Sequence, residues 1–246
     1  MKTYRFKTPL IEGVIKSRPN RFIMLVQLQN KKIFRCHCPS TGRIGNVNFE
    51  NVPCLLSKGE NPDRITPYTV EAISLDTTEK KKKQWIGINQ TKINSYVEFF
   101  IKAGEFPKMI EKSSELKREV KLHDSRIDFL VGKIYLEVKM PLITLPDSEN
   151  FLSEKEHSKF NSFDRLIKHF ADLSKNKLNS DSRAIVMLCY MYAAEPFKPP
   201  AINKSNVKIQ NAAKSASKSG VEHWQANFRI DKKGVSLLGY SKLSLF

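Results

Sequence analysis

Residues 125–139 read Ser-Arg-Ile-Asp-Phe-Leu-Val-Gly-Lys-Ile-Tyr-Leu-Glu-Val-Lys. Two strand-forming runs flank a glycine, and both carry charge among β-branched and aromatic residues. Side chains alternate across a strand, so Glu137 and Lys139 share one face while Leu136, Val138 and Met140 share the other. On the preceding strand Asp128 lies between Ile127 and Phe129, and the short Val131-Gly132-Lys133 connection can bring its carboxylate beside Glu137. Two carboxylates converging at one end of a sheet make an oxygen-rich site suited to Mg²⁺ or Mn²⁺, with the Val138 carbonyl available as a third ligand. Lys139 would then orient the attacking water, help it lose a proton, or stabilise charge developing on a phosphate. The same residues also read as a salt-bridged cluster on a solvent-facing sheet. Glu-X-Lys alone decides nothing, since it also starts at Glu79, Glu115 and Glu119; only Glu137 lies in a strongly apolar strand with an Asp one strand earlier.

Around this hairpin the pattern is mixed α/β. Ile93–Lys102 reads as a helix with Tyr96, Phe99 and Phe100 on one side and Gly104 as its stop. A second helix is expected over Phe163–Leu173, where Phe163, Leu166, Ile167, Phe170 and Leu173 recur at helical spacing while Arg165, Lys168, His169 and Asp172 turn away. Ala184–Tyr192 is a continuous apolar run of strand length, the pattern of a central strand covered on both faces. A third helix is expected over Val207–Ser219, closed by Gly220, followed by strands at His223–Ile230 and Val235–Tyr240. The polar segment Leu145–Ser162 reads as a loop.

The first eighty residues follow a different pattern, with short alternating strands and turn signals. A hairpin is expected from Phe22–Gln29 to Ile33–Cys38 across Asn30-Lys31-Lys32, followed by a loop at Pro39–Arg43. Further strands at Pro53–Ser57 and Thr66–Leu75 suggest a small barrel of the OB type. Thr77–Lys83 reads either as a phosphate-contacting patch or as a solvated hairpin tip or linker. The expected organisation is therefore two domains of α/β (α+β) class. Residues 1–83 form an OB-like nucleic-acid-binding barrel, and residues 84–246 form a mixed sheet flanked by helices.

Forty-two Lys and Arg against 25 Asp and Glu give a formal charge of +17, which favours a polyanionic partner such as nucleic acid. Arg18, Arg21, Arg35, His37 and Arg43 cluster around the first hairpin, where phosphate contact is expected of the arginines. The interleaved Phe22 and Phe34 could stack on bases, but read better as barrel core. Cys36, Cys38, Cys54 and Cys189 are too few and too irregularly spaced for a disulfide framework, and Cys36-His37-Cys38 lacks the spacing of a zinc site. With no apolar stretch near the roughly 20 residues of a membrane span and no apolar core at the start of the chain, a cytoplasmic location is expected, with no membrane partner. Oligomeric state stays open, a homodimer included.

The order of motifs resembles the sugar fermentation stimulation protein A (SfsA) family over nearly the whole chain. The resemblance rests on Arg21-Phe, Cys38-Pro-Ser-Thr-Gly-Arg43, Trp85-Ile-Gly-Ile-Asn89, Arg118-Glu-Val, Ser125-Arg-Ile-Asp-Phe129, Glu137-Val-Lys139, Lys168-His169 and Gly220-Val221, which follow the family's order. It implies an OB-like domain joined to a domain of the PD-(D/E)XK nuclease superfamily, which is restriction-endonuclease-like. In that pattern Asp128, Glu137 and Lys139 match the metal and water positions, Glu119 matches a further acidic position, and Lys168 with His169 matches the helix after the core. Arg126, Lys168 and His169 are then expected to meet nucleic acid. The sequence departs from the family after Lys139, where Met140-Pro-Leu-Ile-Thr-Leu follows, and before Lys168, where Phe163-Asp-Arg-Leu-Ile precedes. The expected function is a Mg²⁺/Mn²⁺-dependent nuclease; the alternative is a non-catalytic DNA-binding regulator linked to sugar metabolism.

Overall fold

The chain begins with a three-residue strand, β1 (Thr3–Arg5), and a long one, β2 (Ile11–Asn20), in a computed structural model. Described are residues 2–40, 42–61, 63–111, 114–142, 145–146, 164–179 and 181–245, the side chains of 178 and 179 excepted. The expected hairpin follows as β3 (Ile23–Leu28) and β4 (Ile33–His37), then β5 (Val52–Lys58), β6 (Tyr68–Ile73) and the two-residue β7 (Ile86–Gly87). Their order is β4-β3-β2-β5-β6-β7, and parallel pairing of β4 with β6 closes the first five into an OB-like barrel. Alternating inward residues fill it, among them Ile15, Met24, Val26, Cys54, Leu56 and Val70. Phe34 is half-buried and meets Tyr68 edge-on, whereas Phe22, read above as core, is 44% exposed at the hairpin end.

Helix α1 (Ile93–Lys102) buries Ile93, Tyr96, Val97, Phe100 and Ile101. It stops as its sequence predicts. Gly104 takes φ 70°, its N–H donates to Ile101 O, and the next N–H, of Glu105, donates to Phe100 O, closing the open carbonyls of the last turn. After it come β8 (Leu116–Leu122), β9 (Ser125–Val131) and β10 (Ile134–Lys139). The last two form the expected hairpin, with Gly132 at φ 56° in its turn. Helix α2 (Asp164–Asn179) and β11 (Arg183–Tyr190) follow, then α3 (Val207–Lys218), which ends through the same pair of bonds at Gly220 and Val221. Strands β12 (Glu222–Ile230) and β13 (Gly234–Leu243) complete the chain. Phe163 and nearly all of the expected 145–162 loop lie outside the described residues.

The second sheet runs β1-β13-β12-β11-β10-β9-β8, with β11 parallel to both neighbours, so the C-terminal domain is a mixed sheet with few helices. The apolar run of β11 is the central strand expected. Its Ile185, Met187 and Cys189 join the main core, while Ala184 and Val186 face a smaller cluster with Phe170 and Leu173 of α2 and Ala216 of α3. The main core continues from the barrel into the second sheet without a break. Backbone pairing ties the two halves further, because β1 adds to β13 at the edge of the second sheet and β7 adds to β6 of the barrel. Among the described residues no helix is long and apolar enough to cross a membrane.

Candidate functional site

The pairing of β9 with β10 stops at Leu136↔Phe129, and the strands part where the charges begin. Asp128 occupies the gap. Its Oδ2 accepts the backbone N–H of Val138 at 2.8 Å, replacing the lost ladder bond, and its Oδ1 accepts the side-chain amide of Asn94 from α1 at 2.8 Å. The strand alternation that turns Leu136 and Val138 into the core turns Glu137 toward α2, where it is 1% exposed. There Glu137 Oε1 accepts both the Lys139 ammonium and His169 Nδ1, the latter at 2.5 Å. Glu137 Oε2 is buried with no hydrogen-bond partner among the described residues.

The two carboxylates are held differently. Burial pushes the Asp128 carboxyl up, and the charge of Glu137 adds to the rise against the donors Val138 and Asn94. Burial also works to raise Glu137, but the bond from His169 and the charge of Lys139 outweigh it and hold Glu137 below its ordinary value. Among the described residues no group of three or more His, Cys, Asp and Glu side chains is arranged to hold a metal ion. Two carboxylates, one with a buried oxygen that has no hydrogen-bond partner among the described residues, nevertheless suit a hard dication that keeps part of its water shell. The donors present would be Asp128, Glu137 Oε2 and the Val138 carbonyl.

An unanticipated chain of hydrogen bonds joins the barrel to this strand end. Ser40 Oγ donates to Gln90 Oε1 at 3.0 Å, and Gln90 Nε2 donates to the carbonyl of Met140 at 2.8 Å, one residue beyond Lys139. Close by, the N–H of Gly45 donates to Leu142 O at 2.6 Å. The loop after β4 therefore buttresses the exit of the Glu137 strand.

Residues 17–88 match the SfsA N-terminal OB domain. Along the full length, the chain is 29% identical over 244 residues to a sugar fermentation stimulation protein homolog of Synechococcus sp. (strain JA-2-3B'a(2-13)), covering 98% of this chain and 95% of that one. A homolog of the same description from Synechocystis sp. (strain ATCC 27184 / PCC 6803 / Kazusa) is 29% identical over 249 residues, covering 96% of each. The chain therefore carries an SfsA N-terminal OB domain at residues 17–88 and is similar to SfsA-family proteins along its whole length. A solved structure titled "The structure of Pyrococcus Furiosus SfsA in complex with Ca2+" has the same fold, with TM-score 0.75 and 22% identity, covering 100% of this chain and 99% of that one.

In this SfsA-like chain the motifs that carry the resemblance have distinct structural duties. Arg18 donates to the carbonyls of Arg21, Ser40 and Gly42, and Arg43 donates to Gly45 O and Asn46 Oδ1, so both guanidinium groups brace the loop. Arg21 and Arg35 are exposed, Arg21 lying 4.9 Å over the Phe22 ring. Arg126 is exposed on β9, two residues before Asp128, opposite Lys121, its register partner. Lys168 is exposed on α2, whereas His169, which helical spacing turned outward, is buried against Glu137. The expected contact of His169 with nucleic acid is thereby corrected, since its ring is buried and spent on Glu137. Glu119 is exposed with φ 53°, between the pairs Arg118↔Phe129 and Val120↔Ile127, which sets it across from Asp128. Such a backbone costs a non-glycine residue of the order of 1 kcal/mol or more. Asn94, Gln90 and Ser40 went unassigned in the sequence, since short polar side chains carry no signal until their partners are known.

Proposed function

We propose that the protein is a divalent-metal-dependent nuclease that hydrolyses phosphodiester bonds of nucleic acid, with Asp128, Glu137 and Lys139 as its working groups. One observation carries this reading: a carboxylate pair in which Glu137 Oε2 is buried yet has no hydrogen-bond partner among the described residues, beside a lysine that reaches solvent. A buried carboxylate oxygen without a partner is costly, and a cation ligand removes that cost. The fold neighbour obtained with Ca²⁺, a hard dication preferring oxygen ligands, supports the choice of Mg²⁺ or Mn²⁺. Bound there, the ion would supply charge neutralisation for the phosphate and a lowered pKa for water.

The chain's own groups do the rest. Asn94 and the Val138 N–H fix the Asp128 carboxylate, and His169 fixes Glu137 through Oε1, leaving the other oxygen toward the cation. Lys139 is 27% exposed at the side chain, so its ammonium can meet a phosphate oxygen or orient the attacking water while Glu137 holds it in place. Lys168, exposed next to His169, would meet the substrate, and Glu119, across from Asp128, would add a further acidic group at the site. The excess of positive charge over the chain provides the attraction for a polyanion.

The test is incubation with labelled DNA and RNA panels, with Mn²⁺, with Mg²⁺ and with EDTA. Metal-dependent cleavage is expected, and Lys139→Ala should lower its rate by about 10²-fold, the scale of one positioned electrostatic group, in protein that circular dichroism shows to be folded. Wild-type protein that binds nucleic acid but cleaves no member of either panel would leave the non-catalytic binding reading in its place.

A further inference from the structure

Away from Asp128 and Glu137, a groove of about 1070 Å³ opens where the barrel meets the second sheet. One wall is the Lys80–Trp85 segment; the other is the end of β12 with the turn that leads into β13. Seven cationic side chains line it against two carboxylates, Glu12 and Asp231. The carboxylates are already committed. Glu12 takes Lys83 at 3.0 Å and Lys232 at 2.8 Å, one from each wall, and thereby pins the walls together. Asp231 Oδ1 accepts the N–H groups of Lys233 and Gly234, shaping the turn, and Phe6 and Leu10 anchor it by donating to Lys233 O and Lys232 O. Among the described residues Lys81, Lys82 and Lys233 are exposed and have no carboxylate within ion-pair reach. A braced frame that holds like charges together without neutralising them is a preorganised site for a polyanion.

The lining also tells which polyanion. Trp85 and Tyr192 are half-buried in the groove, and Leu238 is exposed in it, so flat apolar surface lies among the ammonium groups. That combination suits a strand whose bases are free to stack, and a duplex hides its base faces. Placement agrees. Leu188 pairs with Lys139 in the parallel ladder, and Tyr192 follows four residues on, about 13 Å of strand, past the carboxyl end of β11. Ligands of open α/β sheets lie outside those carboxyl ends.

We propose that this inter-sheet groove, rather than the outer face of the barrel, is the main binding surface for single-stranded nucleic acid, with Lys81, Lys82 and Lys233 on the phosphates and Trp85 against a base. The assignment rests on the nucleic-acid reading above. Its test is fluorescence anisotropy of labelled (dT)12 in EDTA, which prevents cleavage, together with tryptophan emission. In Lys81→Glu/Lys82→Glu/Lys233→Glu, affinity should fall at least tenfold and the salt slope should flatten by about two, the release expected for three phosphates on a single strand. These three side chains are exposed, so stability should stay within about 0.5 kcal/mol. In the wild type (dT)12 should quench tryptophan emission where polyphosphate does not, and Trp85→Phe should abolish the quench. Unchanged affinity and slope in the triple variant, with binding lost in Arg21→Ala/Arg35→Ala, would overturn the groove while leaving the nucleic-acid reading intact. Equal affinity for the matching duplex would overturn the single-strand assignment. A wild type that binds no oligonucleotide at low salt would overturn both readings.

Discussion

Two buried glutamates, one in each half of the molecule, are solved in opposite ways. Glu71 in the barrel is 4% exposed, and both of its oxygens are satisfied by neutral donors, Ser57 Oγ at 2.6 Å and Asn89 Nδ2 at 2.7 Å. Asn89 in turn caps the turn that leads into α1 by accepting the Thr91 N–H. Glu137 in the second sheet crowds a lysine and a histidine onto one oxygen and leaves the other with no hydrogen-bond partner among the described residues. A closed network fixes a fold; an open, oriented oxygen is an invitation to a ligand. The difference separates architecture from chemistry within one chain.

The contrast should appear first in stability. Glu71→Ala strands the buried amide of Asn89 and the half-buried hydroxyl of Ser57 and loosens the entry to α1, so it should cost about 2–4 kcal/mol, about 1–3 for the buried amide and less for the hydroxyl that water can reach. Glu137→Gln keeps volume and one acceptor oxygen for Lys139 and His169, and should cost about 1 kcal/mol, less than Glu71→Ala, in the same urea titration. Equal losses would mean that Glu137 is as structural as Glu71.

A smaller effect follows from acid. Burial beside Phe170 pushes His223 down to about 4, so the folded protein resists the proton that the unfolded chain accepts near its ordinary value of 6.5. The stability this contributes is complete above pH 6.5 and is lost as pH falls toward 4, at most of the order of 2–3 kcal/mol. Glu222 adds its share lower down. Burial would raise it, but the bidentate pair with Arg183 outweighs burial and holds it at about 2, so its contribution fades as pH falls from 4.5 toward 2. Melting temperatures between pH 8 and pH 5 should fall in the wild type and fall less in His223→Asn, whatever the absolute level of the variant.

The smallest expected effect tests the bridge between the halves. Gln90→Ala breaks the Ser40–Gln90–Met140 link and should cost about 1 kcal/mol of stability. The rate of cleavage should fall by less than tenfold. An effect on rate as large as that of Lys139→Ala would make the barrel loop part of the reacting site.

The hairpin of Asp128 and Glu137 was legible because period-2 alternation fixes which side chains share a face, and Gly132 marks the turn. The central strand β11 was legible because an apolar run of that length has few other places to go. Strand β2, between β3 and β5 in the barrel, was not. Its inward position 13 is a glycine, since a Cβ there would come within 2.7 Å of Val26 Cγ1, and the missing side chain erases the alternating signal. Strand β1 is three residues long and pairs with β13, the last strand of the chain, a contact no local pattern encodes. His169 shows the limit at the site: helical periodicity assigns it outward because histidine counts as polar, and its bond to Glu137, a residue 32 positions away, makes an inward histidine favourable.

The central claim is that Glu137 Oε2 is a ligand position. A calorimetric Mn²⁺ titration of wild type and Glu137→Gln, on preparations matched for thermal stability, tests it without reference to cleavage. Saturable binding in the wild type, weakened at least tenfold in Glu137→Gln, is the predicted result. Mn²⁺ binding of equal affinity in both proteins, or none in the wild type, would contradict it.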